Sequence, residues 1–211
     1  MSTYCWHHNV SVDGKVYPLR NRLDPAYGNV DLSDHAFGLS PVEGRTQTAV
    51  HELGHALVWL HQGGVRVRKV RLGPHLHTVS HRHVSGCTAK VPVHDTSRML
   101  DWALGVAAGE RAVDRWLREE GLWTPSRAAW AELTAKHDRD LILGTAALDP
   151  RPAFGAAPGG GDYADLHELA DQALVQVWER LRDAVPVLLS RESISGDELG
   201  DLVGTANRRH A

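Results

Sequence analysis

Apolar residues recur at helical spacing in several long stretches of the chain and alternate with polar residues in shorter ones. The helical spacing predicts helices over about 42–61, 97–120, 125–148, 162–189 and from Ser195 onward. Alternating apolar and basic residues predict a strand over 65–72, and a second strand signal follows over 88–93. The pattern therefore predicts an α+β fold that is mainly α-helical, with a small β-sheet beside the first helix.

The segment before this helix has a different pattern. Residues 1–41 show no sustained helical period, and Asp, Asn, Gly and Pro recur there as turn formers. Residues 10–17 predict a small hairpin with Asp13 and Gly14 at its turn. We expect residues 1–41 to form an extended N-terminal arm laid over a domain that spans 42–211.

Residues 48–60 combine an apolar helical run with the pattern HExxH. His51 and His55 are four residues apart, so on a helix they share one face and can reach the same metal ion. Imidazole nitrogen suits Zn²⁺, and Glu52 beside His51 is placed to act as a general base on a water molecule. The sequence therefore predicts a zinc site with Glu52 as the catalytic residue.

The alternative is an accidental match, because the chain contains 14 histidines. The apolar residues around the pattern argue against accident, since they predict a well-formed buried helix. Four further histidines, at 75, 77, 81 and 83, occupy odd positions after the first predicted strand. They would share a face of a continuous strand, but Gly73 and Pro74 favour a loop over a second metal site.

Composition excludes several classes of partner. The net charge of −3 provides no basic surface for nucleic acid or for a membrane. No apolar run approaches the roughly 18 to 20 residues that a membrane span requires, and the N-terminus lacks the pattern of a secretory signal. Two cysteines are too few for a disulfide scaffold. We expect a cytoplasmic protein.

A catalytic zinc usually has three protein ligands, and the sequence leaves three candidates for the third. Glu110 has Asp114 one helical turn later, a spacing similar to the Glu-x-x-x-Asp arrangement of thermolysin-like enzymes. Asp140, with Asp138 nearby, would complete a site of two histidines and one aspartate. His137 is the third candidate.

The segment from His51 to Leu57, His-Glu-Leu-Gly-His-Ala-Leu, resembles the motif of FtsH-type zinc peptidase domains. Two later segments, 108–114 and 139–145, are similar to that family's next two motifs in the same order, and 188–199 resembles its closing segment. The resemblance covers roughly 42–205. It implies a zincin-like peptidase domain and, by position, Asp140 as the third zinc ligand.

The sequence departs from the family at several points. Arg139 stands where the family has an asparagine before its ligand aspartate, and the family's Gly-Gly-Arg is altered around Glu110. Glu110 therefore remains the alternative third ligand. The chain contains no GxxxxGK[ST] phosphate loop, so we expect it to act without the ATPase motor of the family.

These observations predict a zinc metallopeptidase that hydrolyses peptide bonds without ATP. Its substrate would be a flexible peptide or an unfolded protein segment. Pro92 marks the second strand as an edge strand, so the substrate would pair with Thr88, Ala89, Lys90 and Val91. Two alternatives remain: a non-proteolytic metal-binding protein with a regulatory or interaction role, and a zinc amidase acting on a small molecule. A monomer and a homo-oligomer are both compatible with the sequence.

Overall fold

The computed structural model describes residues 5–8, 10–12, 15–22, 38–73, 86–90, 96–155 and 160–207. The predicted fold class is confirmed, because helices dominate these residues and a small sheet accompanies them. The helices are α1 (Pro41–Gln62), α2 (Met99–Glu119), α3 (Pro125–Thr134), α4 (Lys136–Gly144), α5 (Tyr163–Arg191) and α6 (Gly196–Val203). The strands are β1 (Ser11–Val12), β2 (Lys15–Val16), β3 (Val67–Leu72), β4 (Gly86–Lys90), β5 (Pro152–Ala153), β6 (Gly161–Asp162) and β7 (Ser193–Ser195).

Helix α1 carries the HExxH pattern and has clear signals at both ends. Ser40 and Glu43 form a reciprocal capping box at its start. Gly63 ends it in the left-handed region at φ 71°, where a residue without a Cβ meets no steric penalty. The middle of the helix, from Ala49 to Leu60, is almost entirely buried.

Helices α2 and α5 pack against α1 and form the main core with it. The approach of α2 is close where small residues meet. A Cβ atom on Gly54 would lie 2.8 Å from both the Ala108 carbonyl oxygen and the Ala112 Cβ. Glycine at this position therefore sets the distance between the two helices.

A three-stranded antiparallel sheet lies beside α1 in the order β4-β3-β7. Strand β3 pairs with β4 on one side and with β7 on the other, so within the described residues β4 is an edge strand, as predicted. Strand β7 was not predicted. It occupies only three residues between α5 and α6, too few to show an alternating pattern.

The single helix predicted over 125–148 is wrong. The chain forms two helices, α3 and α4, separated at Ala135. Thr134 at the end of α3 donates its side-chain hydroxyl to the Ala131 carbonyl oxygen, and a threonine bonded in this way bends or ends a helix. Because of this break, the face that α4 turns toward the core is not fixed by the helical periodicity of α3.

In the N-terminal arm β1 and β2 pair in antiparallel register, as the predicted hairpin requires, and its predicted turn residues Asp13 and Gly14 lie outside the described residues. Residues Val10 and Leu19 of the arm are buried with Ala129 and Leu133 of α3 in a second, smaller apolar cluster. Trp6 packs against the main core. The described part of the arm is therefore anchored to the helices.

The described helices also bear on membrane insertion. None of them combines the length and the apolar composition that crossing a bilayer requires.

We predict that Gly54→Ala destabilises the protein by about 1 to 3 kcal/mol, because the added methyl meets a backbone carbonyl that cannot move freely. The matched control is Gly144→Ala at the end of α4, where a Cβ meets no described atom within 4 Å. This change should leave stability the same or raise it by about 0.4 to 1 kcal/mol. Urea unfolding followed by tryptophan fluorescence measures both. Equal stabilities for the two variants would show that the α1–α2 contact is not sterically limiting.

Candidate metal centre

Three possible ligand atoms converge at one point on the surface of α1. The Nε2 atoms of His51 and His55 lie 3.0 Å apart. The Oδ2 atom of Asp138 lies 3.2 Å from His51 Nε2 and 3.5 Å from His55 Nε2. His51, His55 and Asp138 could therefore bind one metal ion, because each presents one ligand atom to the same small volume.

The geometry of helices α1 and α4 explains how these residues meet. The two histidines are one helical turn apart on α1, and Asp138 lies in the first turn of α4. Asp138 precedes Ile142 by four residues, so the two share a face of α4, and Ile142 is fully buried. That face is the one that α4 turns toward the core and the histidines.

Helix α2 holds the imidazole rings in place. His55 Nδ1 lies 2.8 Å from the carbonyl oxygen of Gly105, so this nitrogen carries the proton that it donates. In the neutral ring the lone pair of Nε2 points toward Asp138 and His51, and this is the tautomer that a metal ligand needs. Gly109 permits the close contact, because a Cβ there would lie 2.4 Å from His55 Cε1 and 2.9 Å from His51 Cε1.

The electrostatic field at this point favours a positive charge. Burial works against protonation of His55, but the charge and hydrogen bond of Asp138, together with Glu52, outweigh it and raise the pKa of His55 to about 9. Burial would raise the pKa of Asp138, but the two histidines hold it well below its usual range. A carboxylate that stays ionised among these rings suits a site for a cation.

Glu52 lies beside the three candidate ligands, and its side chain is held by the sheet. Its side chain is buried, and its Oε2 accepts a 2.7 Å hydrogen bond from the Thr88 hydroxyl of β4. The influence of Glu52 on the pKa of His55 reflects the nearness of the two groups. Glu52 thus has a fixed orientation near the histidines without being one of the three converging ligands.

The site is open on one side. His55 is almost enclosed, with 6% of its side chain exposed, whereas His51 and Asp138 keep 16% and 23%. Water and a substrate group can therefore approach from the side of these two residues. A purely structural metal site is usually closed by protein ligands, whereas a catalytic one keeps an open position.

The structure does not bring Asp140, the expected third ligand, to the histidines. Its carboxylate pairs with Lys15 Nζ at 2.5 Å and is 40% exposed. Successive helical residues are about 100° apart, so Asp138 and Asp140 point to nearly opposite sides of α4. Only one of the two can face α1, and in this register it is Asp138.

A cavity of about 450 Å³ opens beside Asp140, between β2 and α4. Its lining includes Lys15, Tyr17 and Phe154, but neither of the two histidines nor Asp138. The cavity is therefore separate from the metal centre.

Glu110, the alternative third ligand, binds Arg139 and is not among the three converging residues. It is buried and accepts hydrogen bonds from Arg139 Nε at 2.6 Å and Nη2 at 3.0 Å. Asp114 likewise binds Arg111, Arg118 and Trp123 instead of orienting a histidine. The Glu-x-x-x-Asp spacing therefore reflects two ion-pair networks.

The network around Glu110 lies directly behind the metal centre. Arg139 follows Asp138 in the chain and also binds Glu132 at 2.7 Å. His167 faces Glu110 through Nε2 and accepts from Arg20 through Nδ1, and burial lowers its pKa to about 4, so it is neutral. These contacts connect α2, α3, α4, α5 and the N-terminal arm.

The remaining predicted residues fall into two groups. His137 is exposed on α4, whereas Thr88, Ala89 and Lys90 lie on the edge strand β4 near Glu52. Val91 and the histidines at 75, 77, 81 and 83 lie outside the described residues.

Comparison with known proteins adds no identification. No protein-family model matches the sequence, and no curated protein matches it.

We predict that Asp138→Ala loses the metal and Asp140→Ala retains it. Loss of a residue that only supports a ligand typically weakens metal binding by about 10- to 100-fold, and loss of a direct ligand should weaken it more. The two variants make the same change two residues apart on α4, so each controls for the other. Metal content is measured by mass spectrometry on protein purified without added metal. Loss of metal from Asp140→Ala alone would reject Asp138 as the ligand.

We predict that Glu110→Gln destabilises the protein by about 3 to 5 kcal/mol, because a buried ion pair loses one partner. Burial opposes ionisation of Glu110, but Arg139 and His167 outweigh it and lower its pKa. Its contribution is therefore complete above the ordinary glutamate value of about 4.3 and is lost as pH falls through the lower folded pKa. Urea unfolding of the wild-type and Glu110→Gln proteins between pH 7 and 3 should show that the difference between their free energies of unfolding becomes smaller on acidification.

Glu119→Gln on the same helix is the control for Glu110→Gln. Glu119 pairs with Arg115 near the surface, so the change should cost less than about 1 kcal/mol. A folded Glu110→Gln protein that keeps its metal would exclude Glu110 as a ligand.

Proposed function

We propose that this protein is a zinc metallopeptidase that hydrolyses peptide bonds in flexible peptides or unfolded protein segments. The observation that carries the proposal is the convergence of His51, His55 and Asp138 on one open point beside a fixed carboxylate, Glu52. A regulatory metal site would need the three ligands but would have no use for a carboxylate held beside them. This combination favours an enzyme.

The donor set and its dimensions support zinc. Two imidazole nitrogens and one carboxylate oxygen are ordinary zinc ligands. Ligand bonds of about 2.0 to 2.1 Å in tetrahedral geometry separate the ligand atoms by about 3.3 to 3.4 Å. The three separations here are 3.0, 3.2 and 3.5 Å. His51, His55 and Asp138 would hold the ion through these atoms.

A bound zinc supplies Lewis acidity toward water and toward a carbonyl oxygen. Glu52 accepts the proton of the attacking water and delivers it to the leaving amine, the role of a general base and then a general acid. The Thr88 hydroxyl keeps the Glu52 carboxylate in position for both transfers. Gly105 orients His55 through its carbonyl oxygen. Hydrolysis by these groups consumes water and needs no ATP.

The edge strand β4 supports a peptide as the substrate. Thr88 connects this strand directly to Glu52, so an extended segment paired with β4 passes beside the base. Backbone hydrogen bonds to a strand edge bind any extended sequence but require the substrate to be unfolded locally. Flexible peptides and exposed chain segments meet that requirement.

We predict that Glu52→Gln keeps zinc bound and lowers the turnover of a cleavable peptide by at least about 100-fold, because glutamine cannot accept the proton. Glu43→Gln in the first turn of the same helix is the control, since glutamine preserves the capping box. Cleavage is followed with fluorogenic peptides, with and without a chelator. Unchanged turnover in Glu52→Gln would reject the mechanism. Cleavage of small amides but of no peptide would favour the amidase alternative.

A further inference from the structure

Lys90 at the end of β4 has an unusual environment for a lysine. Its Nζ lies 5.9 Å from the ring centroid of Trp59 and 5.6 Å from that of Trp102. Trp59 in turn stacks on His55, with centroids 5.7 Å apart. The ammonium group is therefore held over two indole rings, one of which touches a residue of the metal centre.

Within the described part of the chain, Lys90 has no carboxylate partner. The buried arginines differ in this respect, because Arg139 pairs with Glu110 and Arg111 with Asp114. Lys90 is half-buried, and burial lowers its pKa. The aromatic faces attract the cation but leave its hydrogen-bond donors without an anionic acceptor.

The register of β4 places this cation along the expected path of a substrate. Side chains two residues apart on a strand share a face and are separated by about 6.4 to 6.8 Å. Thr88 and Lys90 therefore face α1 together, and Thr88 contacts Glu52. A segment paired with β4 would bring the residues opposite them to Cβ distances of about 4.5 to 5.5 Å.

We propose that Lys90 is a specificity-determining residue that selects substrate segments carrying a carboxylate two residues from the position opposite Thr88. This inference rests on the proposed peptidase function and names its preferred substrate class. The carboxylate belongs to an aspartate or glutamate side chain or to the C-terminus of the peptide. In either case it supplies the acceptor that Lys90 lacks among the described residues.

The test uses a set of fluorogenic peptides in which Asp, Asn or Lys occupies each position in turn, with free or amidated C-termini. For the wild-type protein loaded with zinc, kcat/KM for the best Asp peptide should exceed that of its Asn counterpart by about 10-fold or more. Lys90→Met keeps the aliphatic stem over the indole rings and should remove this ratio. Lys90→Glu should shift the preference toward the Lys peptide.

Lys69→Met is the matched control. Lys69 pairs with Ala89 across β3 and β4, so it lies on the opposite face of the sheet from Lys90. Lys69→Met makes the same change of charge as Lys90→Met and should retain the wild-type ratio of kcat/KM between the Asp and Asn peptides. A preference that depends on the free C-terminus instead of the Asp position would identify the terminal carboxylate as the group that is bound.

A binding measurement separates this inference from the proposed function. Fluorescence anisotropy with zinc-loaded Glu52→Gln protein, with and without Lys90→Met, gives the affinities of the same peptides without turnover. Cleavage and binding that ignore peptide charge would overturn the role of Lys90 while leaving the peptidase intact. Charge-dependent binding that needs Lys90, without cleavage by the wild type, would support Lys90 and contradict the peptidase.

Discussion

Glu110 on α2 and Arg139 on α4 are both buried, and separating them would remove the charged partner that the Glu110 carboxylate has in a medium of low dielectric constant and leave Arg139 with Glu132 alone. This pair fixes α4 against α2. Gly109, the residue before Glu110, contacts the histidine rings, and Asp138, the residue before Arg139, offers the third possible ligand atom. One ion pair thus sets the relative position of the two halves of the metal centre.

The half of the centre on α1 could be predicted from the sequence because its geometry is local. Two histidines four residues apart on a strongly apolar helix have only one way to share a face. Asp138 could not be predicted in this way. Leu141, Ile142 and Leu143 are all apolar, so the pattern does not show which side of α4 is buried. The resemblance to FtsH-type peptidase domains pointed to Asp140, two residues from the aspartate that lies beside the histidines.

The two departures from that family, Glu110 and Arg139, have one explanation. In the sequence alone, each of these residues is only a departure from a family motif, and Glu110 is also the alternative third ligand. In the fold they are bonded to each other, 29 residues apart in the chain. Pairings between distant residues carry no signal in one sequence, and the same limit hid β7, whose partner β3 lies more than a hundred residues earlier.

The N-terminal arm completes the same buried network. The Arg20 amide donates to Glu132, and Pro18 accepts from Arg139, across separations of 112 and 121 residues. During synthesis the arm leaves the ribosome before its hydrogen-bond partners, Glu132 and Arg139, have been made. The arm must stay unpaired until α3 and α4 have emerged, which takes about 6 to 25 seconds at ordinary elongation rates. The candidate metal centre is thus assembled late in translation, although its histidines are made early.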